Sequence, residues 1–251
     1  MAFLFEATGR QFLRAKTGEI TRDVMRAFRG EAVGIADLPE EAWDLDSHAG
    51  NFVLGVLLGP YEWHMKIDTS EFDEDDDLME FFNVSVNVTI DPDEEHINVS
   101  GYAGAVDEEG IDIPGIDISI RLPKSINQLV GSDLQFINKE VRNTVAHELE
   151  HLTQRYEFKA FDREERYYSG IPTDVKGSDM FSYLMQPDEV TAHVMGYAAH
   201  SKSRDDLEAQ IYDFLKGYQM SGQISRDEAQ TVLDTWLAWA KQNLKQTKFQ
   251  R

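Results

Sequence analysis

The run His147-Glu148-Leu149-Glu150-His151 places two histidines four residues apart with a glutamate directly after the first. In an α-helix four residues make close to one turn, so the two imidazoles project from the same face. Two such imidazoles can share one Zn²⁺. The glutamate beside them can act as a general base on water held by the metal. Periodicity supports the helix that this chemistry needs. Leu134, Ile137, Val141, Val145 and Leu152 fall within one arc at about 100° per residue. No Gly or Pro interrupts residues 133–158, and Asp133 is the expected N-cap. On the same wheel Glu148 lands inside the apolar arc, between Ile137 and Val141, with His147 and His151 at its edge. A carboxylate facing a core is costly, and a cleft floor with metal and water would account for it. Glu140 and Glu150 are expected to face solvent.

The five residues resemble the zincin metallopeptidase signature, His-Glu-x-x-His. A zinc site of this kind needs a third protein ligand, with water in the open position. One zincin branch takes a third histidine shortly downstream, but the continuation Leu152-Thr153-Gln154-Arg155-Tyr156-Glu157-Phe158 has none. The chain is more similar to the glutamate branch, the gluzincins, whose third ligand comes from a later helix. That resemblance implies Glu189, in Gln186-Pro187-Asp188-Glu189-Val190-Thr191-Ala192-His193. Pro187 suits a first helical position. From there Glu189, His193, Gly196, Tyr197 and His200 share one face, and Val190, Val194 and Ala198 lie on the other side. The gluzincin pattern usually has aspartate four positions after the ligand glutamate, where this chain has His193. A histidine there could orient a ligand, stabilise the oxyanion, or itself bind the metal.

A zinc hydrolase also needs a donor to the developing oxyanion besides the metal. His193, Tyr197, His200 and Tyr183 are the candidates, in that order. The resemblance covers about residues 136–200 and implies a peptidase with one Zn²⁺ per chain. His147, His151 and Glu189 would be ligands, Glu148 the general base, and His193 and Tyr197 further catalytic groups. The arrangement also looks like that of small peptidases, some of them encoded by bacteriophages.

Composition narrows the rest. The 251 residues carry a net charge of −22 and no cysteine, which leaves no disulfide framework and no thiolate metal site. Between Lys66 and Arg121 there is no Lys or Arg, against 17 Asp or Glu, and Glu71–Asp77 is nearly continuous acid. Such a surface argues against nucleic acid as a partner. It suits a basic peptide or protein substrate, or it is a solvated run that maintains solubility. Residues 1–10 lack a secretory pattern, and the longest apolar run, Phe52–Leu58, is too short to span a bilayer. The expectation is a soluble protein, cytoplasmic or virion-associated, with no membrane partner.

Elements able to position the motif can be read on both sides of it. Thr21–Arg29 predicts a short amphipathic helix with Val24, Met25 and Phe28 apolar. Asn51–Ile67 contains strand-like residues, and Phe82–Ile90 alternates Val84, Val86 and Val88 with polar residues. Ile97–Tyr102 and Ile116–Leu122 predict two further strands, with turns at Asp91-Pro92-Asp93 and Glu109-Gly110. Lys159–Met185 reads as an irregular loop in which Tyr167, Tyr168 and Phe181 could line a cleft or equally pin the loop to the body. Asp205–Tyr218 predicts one C-terminal helix. Ser225-Arg226-Asp227-Glu228, a capping-box pattern, opens another to about Leu244. Trp236 and Trp239 read as packing residues.

The predicted fold is α+β and zincin-like: a small, mostly antiparallel sheet, then the active-site helix, then a helical C-terminal part. Its divisions are 1–132, 133–200 and 201–251, or the whole is one domain. An edge strand can pair with an extended substrate, and Ile116–Leu122 is the expected strand nearest the cleft. The contrasting reading is an acidic interaction or virion-structural protein with an inactive or accidental motif. A zincin-shaped protein that holds metal without cleaving is a third, against which the intact Glu148 weighs.

Overall fold

A computed structural model describes residues 16–25, 28, 45–46, 51–53, 83–91, 93–108, 111–123, 128–129, 131–155, 168 and 170–244. The architecture is α+β, and the chain divides into two units, Met1–Leu152 and Thr153–Arg251. In the first unit helix α1 spans residues 16–25 and buries Ile20, Val24 and Met25 together with Phe28. It begins a turn earlier than the apolar pattern predicts. The extra turn is held by the Lys16–Glu19 ion pair at 3.2 Å and by the Thr21 hydroxyl, which donates to the Thr17 carbonyl at 2.6 Å.

Strands β1 (Leu45–Asp46) and β2 (Asn51–Val53) belong to a small antiparallel sheet. The rest of the Asn51–Ile67 prediction lies outside the described residues. The larger sheet holds β3 (Asn83–Asp91), β4 (Asn98–Glu108) and β5 (Ile111–Pro123), in the order β3-β5-β4. It is mixed rather than mostly antiparallel. β4 and β5 pair antiparallel, from Glu108 opposite Ile111 to Asn98 opposite Arg121. β3 lies on the other side of β5 and runs parallel to it. Alternation along a strand specifies which residues face the core but not which neighbour the strand takes, so this order was not legible in the pattern. β6 (Gln128–Leu129) completes the small sheet beside β2. Pro92 and the predicted Glu109-Gly110 turn lie outside the described residues, while Asp93 is in a turn.

One face of the larger sheet is apolar. Val84, Val86 and Val88 on β3 align with Ile116, Ile118 and Ile120 on β5, and all six are buried. On β4 the same face narrows to Val99, Gly101 and Ala103, opposite Ile120, Ile118 and Ile116. Helix α2 (Gly131–Arg155) follows and buries Ile137, Val141, Val145 and Leu152 as the wheel predicts, while Leu134 is only half-buried. The helix starts at Gly131, so Asp133 sits inside the first turn. There its charge complements the helix dipole instead of capping.

The second unit is helical: α3 (Asp179–Leu184), α4 (Pro187–His200), α5 (Arg204–Met220) and α6 (Arg226–Asn243). α3 corrects the expectation of an irregular loop up to Met185. Ser178 caps it by accepting from the Phe181 amide, and Phe181 is buried in the core, which is the pinning alternative and not the cleft one. Tyr168 is half-buried against that core, and Tyr167 lies outside the described residues. Pro187 occupies the first turn of α4, as expected. Trp236 of α6 is fully buried, and its indole N–H donates to the Leu184 carbonyl at 3.1 Å, which ties α6 to the end of α3. Among the described residues no helix is long and apolar enough to cross a membrane.

The capping box at Ser225 and Glu228 forms as its sequence predicts. Its carboxylate serves two helix starts. Oε2 accepts from the Ser225 amide and Oε1 from the Ser178 amide, each at 2.7 Å. These amide bonds, Ser225 first and then Ser178, hold the Glu228 carboxyl below the usual carboxylate range. A pKa lowered by folding gives stability that is present above the unfolded pKa and lost as pH falls through the folded one. Glu228→Gln is therefore expected to be less stable than the wild type at neutral pH, with the gap closing in acid. Denaturant titrations of both proteins across that range check this. A gap independent of pH would mean that the charge of Glu228 plays no part.

Candidate metal centre

His147 and His151 lie one turn apart on α2, and their Nε2 atoms face each other at 3.0 Å. The rings are edge-on, with centroids 4.6 Å apart and planes at 78°. In this arrangement one Nε2–H can donate to the other ring. Two imidazole nitrogens bound tetrahedrally to one zinc at about 2.0–2.1 Å lie about 3.3 Å apart. The pair therefore already has nearly the separation that a shared metal requires. Both histidines are half-buried, which leaves them reachable while restraining their rotamers.

Glu148 is 6% exposed, in the apolar arc where the wheel puts it. Gly101 of β4 lies directly against it. A Cβ at position 101 would overlap the Thr144 methyl and come within 2.8 Å of Glu148 Cγ and 3.0 Å of its Oε1. The close approach of strand and helix thus depends on glycine, which leaves room for the carboxylate between them. The strand expected nearest the cleft, Ile116–Leu122, lies within β5. β5, Ile111–Pro123, is central in its sheet, whereas β4 is an edge strand among the described residues and its Gly101 lies beside Glu148. Proximity in sequence favoured β5, but the hairpin folds β4 back to the edge.

Glu150 and Glu140 are not solvent-facing as expected. Glu150 is 1% exposed, on a second buried face with Ala146, Leu149 and Thr153. The second half of α2 is covered on two sides, so a wheel with one apolar arc misplaces it. Glu140 is half-buried. Burial raises the pKa of its carboxyl, against the opposing effects of Lys139 and a hydrogen bond from Asn143.

In the second unit Glu189 sits in the first turn of α4, where the helix dipole favours an acid. The Tyr183 hydroxyl donates to Glu189 Oε2 at 2.7 Å, and His193 Nε2 lies 3.6 Å from the same oxygen. The His193 ring is fixed among aromatic residues. It stacks on Trp236 at 4.8 Å and 17°, lies 5.1 Å from Phe214, and meets Tyr183 edge-on at 6.4 Å. Three of the predicted residues, Tyr183, Glu189 and His193, thus form one cluster. Tyr197 lies a turn farther along α4 in the core, with Phe214 at 5.6 Å. His200 bonds Gln210 of α5.

Two groups near Glu189 were not anticipated. Burial, and then the negative charge of Glu189, raise the pKa of Tyr218, so its phenol stays protonated. Gln154, at the end of α2, donates through Nε2 to Thr191 Oγ1 at 2.7 Å and to the Asp188 carbonyl at 3.1 Å. The only sequence signal for Gln154 was its position one helical turn after His151. No family model, curated protein or solved structure matches the chain.

Gly101→Ala is expected to destabilise the protein by about 1–3 kcal/mol, the usual range for overpacking. Thr144→Ser, which removes the overlapping methyl, should recover part of that loss in the double variant. Chemical denaturation of the three proteins measures it. Unchanged stability of Gly101→Ala would mean that β4 does not approach Glu148 as described.

Proposed function

We propose that the protein is a zinc-dependent metallopeptidase of the zincin type, with His147, His151 and Glu189 as metal ligands. The observation that carries this reading is the facing pair of Nε2 atoms at 3.0 Å on consecutive turns of α2. The donor set fits zinc: two neutral imidazoles and one carboxylate leave a fourth position open. When bound, zinc would supply a water of lowered pKa and polarise the scissile carbonyl.

Glu148, next to His147, takes the proton from water and passes it to the leaving amine. It is buried beside Gly101 of β4, which restrains the carboxylate next to His147. Tyr183 restrains Glu189 through its hydroxyl. His193, held flat against Trp236, is an orienting group, the donor to the oxyanion, or itself a ligand. An extended peptide added to the outer edge of β4 would run beside Glu148, since Gly101 touches that carboxylate. The net charge of −22 favours a basic substrate.

The purified protein is expected to contain about one zinc per chain, and His147→Ala/His151→Ala to lose it. Glu148→Gln should keep the zinc and lower hydrolysis of a peptide library by on the order of 10²–10⁴. Elemental analysis and library digestion check both. Unchanged zinc in a folded double variant overturns the ligand assignment. Full activity of Glu148→Gln removes that residue from the mechanism. A wild-type protein without zinc favours the acidic interaction protein instead.

A further inference from the structure

We infer that Gln154 is a positioning residue: it fixes the first turn of α4, and with it Glu189, the ligand that the zinc reading takes from that helix. The inference rests on the zinc reading above. His147, His151 and Gln154 are spaced by four and three residues, so they form one stripe along α2. The first two positions of the stripe carry metal donors. The third carries an amide whose two N–H groups are both directed at α4.

The acceptors flank Glu189. One is the Asp188 carbonyl, immediately before it, and the other is the Thr191 hydroxyl, two residues after. Thr191 is 0% exposed, and its hydroxyl donates in turn to the Asp188 carbonyl at 3.0 Å. The three groups close a ring of hydrogen bonds on residues that flank Glu189. Each bond in the ring is donor to acceptor: amide to carbonyl, amide to hydroxyl, hydroxyl to carbonyl.

A primary amide at this reach is what the ring needs. Glutamate at 154 would face the Asp188 carbonyl with an oxygen that cannot donate, and asparagine is one methylene too short. Carboxylate ligands depend on such outer hydrogen bonds for their orientation, and losing one typically costs about 10- to 100-fold in metal affinity. The bracket acts on the backbone that presents Glu189, while Tyr183 acts on the carboxylate itself. The two supports are therefore independent.

The test is zinc affinity of the full chain, measured by competition with a chromophoric chelator. The proteins compared are the wild type, Gln154→Ala, Gln154→Glu, Glu189→Ala and Gln154→Ala/Glu189→Ala. Either change at 154 is expected to weaken zinc by about 10- to 100-fold with cooperative thermal unfolding retained. Adding Gln154→Ala to Glu189→Ala should weaken it no further, since a residue acting through Glu189 has nothing left to position. Thr191→Val removes one acceptor at nearly constant volume and should shift affinity the same way, which keeps the test open if Gln154→Ala fails to fold. Wild-type affinity in the folded Gln154 and Thr191 variants would overturn the inference. So would an equal loss in both backgrounds, which would reveal general loosening. A wild-type chain that binds no zinc fails the zinc reading itself, and the role of Gln154 falls with it.

Discussion

Glu148 needs space and polar surroundings in the layer where a helix meets a sheet, and much of the first unit is arranged around that need. β3 and β5 fill the layer with branched side chains, Val84, Val86 and Val88 against Ile116, Ile118 and Ile120. On β4 the residues shrink to Gly101 and Ala103, and Gly101 meets Thr144 and Glu148. A sheet with valine or isoleucine at 101 would close on α2 and expel the carboxylate. The small residues on the edge strand thus let Thr144 and Glu148 of α2 pack directly against its backbone. The facing histidines sit on the same helix, one residue before Glu148 and three after it.

The second unit solves a related problem with aromatic residues. Glu189 and His193 are mostly covered, and a polar pair in such a position must be held to be useful. Trp236 does this from α6 by stacking on His193 while its N–H binds the end of α3. α3 in turn carries Tyr183, whose hydroxyl reaches Glu189. The link from Trp236 to α3 to Tyr183 makes the placement of one carboxylate depend on three helices. The dipole of α4 lowers the cost of the charge at its start.

Local patterns were legible in the sequence, and tertiary choices were not. The histidine spacing, the alternation of β3, Pro187 at the start of α4 and the Ser225–Glu228 box are each decided within a few residues, and the structure has them where the pattern puts them. The place of β4 at the edge depends on pairings that no run of residues encodes. The burial of Glu150 depends on a second cover for α2, and polarity alone pointed the other way. Gln154 reads as an ordinary surface glutamine until Thr191, far along the chain, is brought to it. α3 was missed because six residues are too few to show a period, although Ser178 followed by Asp179 is a usable start signal.

The order β3-β5-β4 also bears on how the sheet is assembled. β4 and β5 are consecutive, and pairing Glu108 with Ile111 closes a very short loop. β3 and β5 pair in parallel, with partners 32 residues apart. The entropy of closing a flexible loop rises with its length, so the hairpin forms at the smaller cost and the parallel partner joins at the larger one. The glycine strand is therefore local in the folding sense although it lies at the sheet's edge. The backbone that must lie closest to Glu148 belongs to the part of the sheet with the lowest entropic barrier to formation.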